Sequence, residues 1–209
     1  MSKPLEDLEA IAAEMRPYFA AEDGAREKAL HNCRQVIRHS AEAIRAVHRQ
    51  ERDKAKHSLD SANELLREMA WELDRHGRLL HSGFVHDAQK EFAEGCITVA
   101  LIYGEDLPKP EALGVSNAAY LDGLGESVGE MRRYVLDSLR RGDFSRCEEL
   151  LGIMDEIYGI LLTMDFPELL AHGLRRTTDA MRGIIERTRG DLTVALRQRN
   201  LETKLNDLG

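Results

Sequence analysis

Apolar and small residues recur along most of this chain at alternating steps of three and four, the repeat that places them on one face of an α-helix. Between Arg26 and Arg49 the series is Leu30, Cys33, Ile37, Ser40, Ile44 and Val47. It returns at Ala55, Leu59, Ala62, Leu66, Met69 and Leu73, with Gly77 as the expected terminator. A third helix is predicted from about Leu79 through Tyr103, stopped by GEDLPKP at 104–110, where a glycine and two prolines fall together. Ser116 or Asn117 can cap the next, which runs to about Arg141 before Gly142 and Asp143 break it. Another spans Ser145 to Met164. Pro167 then suits the first turn of a last long helix carrying Leu170, Leu174, Thr178, Met181, Ile185, Thr188 and Leu192. No alternating strand pattern competes, and no repeat of solenoid length is present. The pattern predicts an all-α fold, one domain over residues 1–209, built as an antiparallel bundle of six or seven helices.

Composition narrows the function more than the fold. The 209 residues carry 32% charged and only 5% aromatic side chains, with a formal net charge of −8. Such a balance disfavours indiscriminate attraction to nucleic acid or to an anionic membrane, so any nucleic-acid site must be a local basic surface. Cys33, Cys96 and Cys147 are far apart and contain no Cys-x-x-Cys, which indicates neither zinc nor a disulfide framework and implies a reducing, cytoplasmic setting. The acidic start MSKPLEDLEAIAAEM does not read as a signal peptide, and the most apolar run, Cys96 to Tyr103, is too short to span a membrane.

Candidate chemistry lies in two pairs of glutamates, Glu91 with Glu94 and Glu126 with Glu130, each at a spacing that puts both members on one helical face. Two such faces turned toward each other would crowd four carboxylates, which repel unless protons or divalent cations share the space. A hard metal ion with oxygen ligands fits that demand. The bland alternative is a solvated acidic face, common on surface helices, but Gly95, Cys96, Ile97, Gly125 and Val128 give these acids apolar, glycine-punctuated neighbours. The small residues would let two helix backbones approach closely. A diiron centre is disfavoured because none of the eight histidines follows a Glu by three positions. An all-helical nucleotide pyrophosphohydrolase stays open, since Glu91 and Glu94 suit its magnesium-binding step. Arginines concentrate on the first and last long helices: Arg34, Arg38, Arg45 and Arg49 on one; Arg175, Arg176, Arg182, Arg187 and Arg189 on the other. They can meet phosphates or pair with surrounding glutamates. His86 and Asp87 can contact a substrate or cap a helix.

Four segments, in order over more than 150 residues, together resemble the translin and translin-associated factor X family. They are REKALHNCRQVIRHSAEAIRAVHR at 26–49, HDAQKEFAEG at 86–95, YLDGLGESVGEMRR at 120–133, and the stretch from Gly142 to Gly190 with its Gly-Asp-Phe, Leu-Arg-Arg and late Arg-Gly. The resemblance implies a seven-helix protomer assembling into a hollow, usually octameric homo-oligomer that encloses RNA. The second segment is similar to the factor X branch, which implies a Mg²⁺-dependent endoribonuclease, with Mn²⁺ as the alternative ion. Carried over by position, Glu91, Glu94 and Glu126 match that branch's catalytic, metal-binding acids, and Glu130 matches a further acid one turn on. Glu126 departs from the Asp of the family's eukaryotic catalytic subunit, and the extra methylene moves a carboxylate by about 1.5 Å. The compact chain resembles archaeal members, with one subunit type forming the shell.

The expected activity is therefore hydrolysis of single-stranded or short duplex RNA, with single-stranded DNA as a further ligand and Arg34, Arg38 and Arg189 as phosphate contacts in the cavity. The rival expectations are a non-catalytic RNA- or DNA-binding shell, as in the translin branch, and the pyrophosphohydrolase.

Overall fold

The computed structural model describes residues 3–164, 166 and 173–206; Pro167 and Leu170 lie outside the described residues. Among the described residues six long helices carry the fold: α1 (Lys3–His48), α2 (Arg52–Leu73), α4 (Gly83–Tyr103), α6 (Asn117–Arg140), α7 (Cys147–Leu162) and α8 (Leu174–Asn206). Two four-residue helices, α3 (Gly77–Leu80) and α5 (Pro110–Leu113), lie in the connections. Among the described residues there is no strand, as the helical periodicity requires.

α1 and α2 run antiparallel, as do α2 and α4, whereas α4 and α6 run parallel, His86 lying opposite Asp122 and Lys90 opposite Glu126. Cys33 meets Met69 at 3.3 Å, and His76 bonds Glu22 at 2.5 Å farther along the α1–α2 hairpin. α2 then runs back along α4, with Leu59 against Gly95 and Arg52 over the Tyr103 ring. All six residues of the predicted α2 seam are buried, as are Leu174, Thr178, Met181, Ile185, Thr188 and Leu192 of α8. α1 buries a wider stripe than its single seam predicts, adding Ala29, Val36, Ala43 and Ala46, because α2 and α4 pack on it from two sides.

α4 is the central helix. It packs on α1, α2 and α6, and from Ala93 to Ile102 every residue except Cys96 is buried. Gly104 ends it with a φ of 66°, a left-handed conformation that glycine adopts without strain, and donates its N–H to the Ala100 carbonyl. Ser116 caps α6 as expected, its hydroxyl accepting from the Ala119 N–H at 3.2 Å.

Four helix boundaries differ from the sequence reading, one of them the start of the last helix, which opens at Leu174 after Gly173, a turn residue with a φ of 79°. α1 begins at Lys3 rather than near Arg26, and the apolar stripe of its first half, Leu8, Ile11, Met15 and Tyr18, is exposed. Gly77 opens α3 instead of terminating α2, which ends at Leu73. The predicted helix from Leu79 is interrupted at His81 and Ser82, where the Ser82 hydroxyl donates to the Leu79 carbonyl at 2.6 Å. Side-chain competition of this kind for a backbone acceptor favours turns over helix.

Candidate metal centre

The α4–α6 contact positions the acids. A Cβ placed on Gly123 would lie 2.8 Å from both the Glu94 nitrogen and the Lys90 carbonyl oxygen, so only glycine allows this approach. Gly95 and Gly125, the glycines expected to bring the acidic helices together, serve other neighbours. Gly95 faces Leu59 and Ser40, and Gly125 faces Thr177 and Leu161. The reason is helical phase: each adjoins its acid in sequence and so points about 100° away from it.

At this contact Glu91, Glu94 and Glu126 converge, each offering a carboxylate oxygen within 4.8 Å of the others. Glu94 is buried and Glu126 the most open of the three. Burial, then the charges of Glu91, Glu126 and Glu130, push the Glu94 carboxyl from its ordinary 4.5 up to about 8. Burial also raises Glu91, although Lys90 opposes that shift. The Lys90 ammonium reaches across the group, 2.9 Å from Glu126 and 3.5 Å from Glu91. Burial disfavours its charge, but its bonds and charge interactions with these two acids outweigh that and raise its pKa.

Glu130 does not join the trio. Its Oε2 lies 2.5 Å from His48 Nε2, and that bond holds its pKa down against burial. That bond is a contact with α1 that spacing along α6 does not reveal. His86 Nε2 meets Asp122 Oδ2 at 3.0 Å, closing the other end of the acidic line on α6. His86 thus ties α4 to α6.

The three predicted phosphate contacts are dispersed. Arg38 pairs with Glu42 at 3.1 Å, Arg189 makes a two-oxygen contact with Asp155 at 2.8 Å, and Arg34 is exposed on α1. The convergent basic residues are others: Arg45, Arg49, Arg132, Arg133 and Arg140 line one pocket between α1 and α6. Arg45 and Arg49 were visible in the first basic helix. Arg133 and Arg140 are seven apart on one face of α6, a signal present in the sequence but outweighed there by the longer arginine runs.

Three mutually close carboxylates, one of them pushed up to about 8 by burial and then by its acidic neighbours, form a hard oxygen donor set suited to a divalent cation. The fold and this cluster define an all-helical protein with a carboxylate centre at a helix crossing. The crystal structure of Archaeoglobus fulgidus C3PO matches with a TM-score of 0.82 and 32% identity, covering 90% of this chain and 98% of that one. The chain belongs to the translin-like C3PO family. The complex of the same archaeal protein with duplex RNA matches at TM-score 0.79 and 32% identity, over 90% and 97% of the two chains. Apo C3PO from Nematostella shares the fold, with a TM-score of 0.76 at 18% identity over 93% and 98%. An uncharacterised protein of Methanocaldococcus jannaschii is 27% identical over 190 residues, 90% of this chain and 84% of that one. No family model matches.

Proposed function

We propose that this protein is a Mg²⁺-dependent endoribonuclease of the factor X type, acting on single-stranded or short duplex RNA inside a homo-oligomeric shell. The observation that carries the reading is the convergence of Glu91, Glu94 and Glu126 around one point, with Glu94 pushed up to about 8. These three carboxylates would hold the ion, and Mn²⁺ suits the same oxygen set. A bound Mg²⁺ supplies Lewis-acid stabilisation of a phosphodiester and a water acidic enough to attack it. Glu94 carries a proton near neutral pH and must release it when a cation is held. Lys90, parked on Glu126, is the one cation among the acids in the described residues and is placed to neutralise a phosphate once Glu126 turns to a metal. The duplex-RNA complex of the archaeal relative supports RNA as the substrate class.

Support for a shell comes from apolar faces that one protomer leaves uncovered. Leu8, Ile11, Met15 and Tyr18 form an exposed stripe on the first half of α1, and Val194, Leu201 and Leu205 form another on the end of α8. Helical stripes of this kind are stable in water when a second copy covers them.

A specific observation favours one rival. Lys90 already offsets charge in the cluster, as it would in a non-catalytic translin-like shell that uses the acids only for structure. Incubating labelled RNA and a panel of nucleoside triphosphates with Mg²⁺ or with EDTA separates the readings. RNA cleavage that needs Mg²⁺ and disappears in Glu94→Gln supports the nuclease. Binding without cleavage favours the rival shell, and turnover of free triphosphates alone would sink both.

A further inference from the structure

We propose that the cleft between α2, α4 and the segment 104–113 is a binding site for an aliphatic diamine, an organic cation with two ammonium groups joined by a short methylene chain. The site is independent of the acidic centre and of the nuclease reading. Its open cavity holds about 330 Å³, at the small end of the roughly 300 to 1,000 Å³ that ligand pockets span. Helical phase keeps it apart from the acids. Phe92, Cys96 and Val99 recur on α4 at steps of four and three and face α2 across the cleft, whereas Glu91 and Glu94 meet Glu126 of α6.

The floor is apolar and formed before any ligand arrives. Leu59, Phe92, Val99 and Ala100 are buried beneath the cleft, and Pro108 and Leu113 wall it on the side of the segment that leaves α4. Gly104 turns that segment out of the helix with its left-handed φ, and Pro108 and Pro110 restrict the path that follows, so little ordering is left to a ligand. Cys96 belongs to the floor and is no nucleophile: burial, then the charge of Asp60, pushes its thiol up to about 12.

The rim carries unneutralised charge of one sign. Asp60 comes from α2 and Asp106 from the segment after α4; both are exposed, and neither has an ion-pair partner among the described residues. Lys56, the lysine at the cleft, is held by Glu105 at 2.8 Å, and Arg52 bonds the same carboxylate. An anion would therefore meet two free carboxylates. A bare divalent ion fits no better, since among the described residues only Glu91, Glu94 and Glu126 bring three ligand atoms close enough to share one. Carboxylates on two walls above an apolar floor are complementary to ammonium groups at the two ends of a methylene chain, whose carbons cover Leu59 and Phe92 while its charges stay at the wet rim. Each exposed ion pair alone is weak in water, so binding needs both ends and the floor between them.

The test titrates 1,5-diaminopentane into the protein in EDTA and reads binding by calorimetry, with pentylamine and 1,5-pentanediol as matched controls. The diamine should bind saturably at one site per chain, the monoamine at least about tenfold more weakly, and the diol not measurably. Asp60→Asn and Asp106→Asn change exposed side chains isosterically and should keep the melting temperature, yet each should lose at least about tenfold in diamine affinity. Glu126→Gln should bind the diamine as the unaltered protein does. No saturable binding to the unaltered protein, equal binding of pentylamine, or full affinity in the two Asn variants would overturn the site. A loss confined to Glu126→Gln would place the diamine at the acidic centre and overturn it too. So would a fall in the light-scattering mass of the Asp60→Asn/Asp106→Asn protein, because the rim would then belong to a contact between copies. Every one of these readouts is independent of RNA cleavage.

Discussion

Glu94 makes opposite demands on the free protein and on the metal-loaded one. Its folded pKa lies above that of the unfolded chain, so the native state keeps a proton that the unfolded state has released. Stability in EDTA should therefore be full below about 4.5 and decline as pH rises toward 8, while Mg²⁺ affinity climbs through the same window as that proton is displaced. Glu94→Gln should flatten the thermal-unfolding profile against pH, match or exceed the parent in EDTA at pH 8, and lose at least about tenfold in metal affinity and cleavage. A steeper loss of stability in the variant would instead mark Glu94 as a purely structural partner. Lys90→Met tests the other side. Removing the ammonium that pairs with Glu126 and Glu91 should cost the EDTA-treated protein about 1 to 2 kcal/mol. Added Mg²⁺ should raise the melting temperature of the variant more than that of the parent, because the ion takes over the ammonium's role. Equal gains in the two proteins would argue against a metal among these acids.

At the scale of elements, the α4–α6 crossing sets the site, and Gly123 sets the crossing. Gly123→Ala drives a methyl into backbone atoms at 2.8 Å, which cannot give way as a flexible side chain can. It should destabilise the fold by about 1 to 3 kcal/mol, as overpacking does, and weaken metal binding by moving Glu126 off α4. Gly152→Ala on α7 is the control: nothing lies within 4 Å of its Cβ position, and the gain in helix propensity should stabilise by about 0.5 to 1 kcal/mol. Urea unfolding of both variants, with Mn²⁺ binding measured alongside, checks the pair. The seams of α2 and α8 were legible in the sequence because each of these helices buries a stripe, and burial imprints its period. The first half of α1 carries the same period at Leu8, Ile11, Met15 and Tyr18, but within one chain that stripe stays exposed.

That same half of α1 matters for the whole molecule. Leu8, Ile11 and Met15 face solvent at helical spacing, a stripe that a second copy can cover. Light scattering should return a multiple of the 23.6 kDa chain mass, and replacing these three residues by Glu should shift it toward a single chain. A parent mass near one chain would remove the shell. No described helix is long and apolar enough to cross a membrane.

The sequence by itself determined the helical class, most helix ends and the acids that converge, because hydrophobic period, capping residues and same-face spacing are properties of neighbours along one helix. It also carried the family resemblance, through four segments in register. Only the tertiary structure decided that Glu130 bonds His48, that Gly123 rather than Gly95 or Gly125 makes the close approach, and that Lys90 lies among the acids. It likewise gathered Arg45 and Arg49 with three arginines of α6, while Arg38 and Arg189 found carboxylates elsewhere. Each of these depends on which helix faces lie against each other, and facing between helices is fixed by packing of the whole core, not by any local repeat.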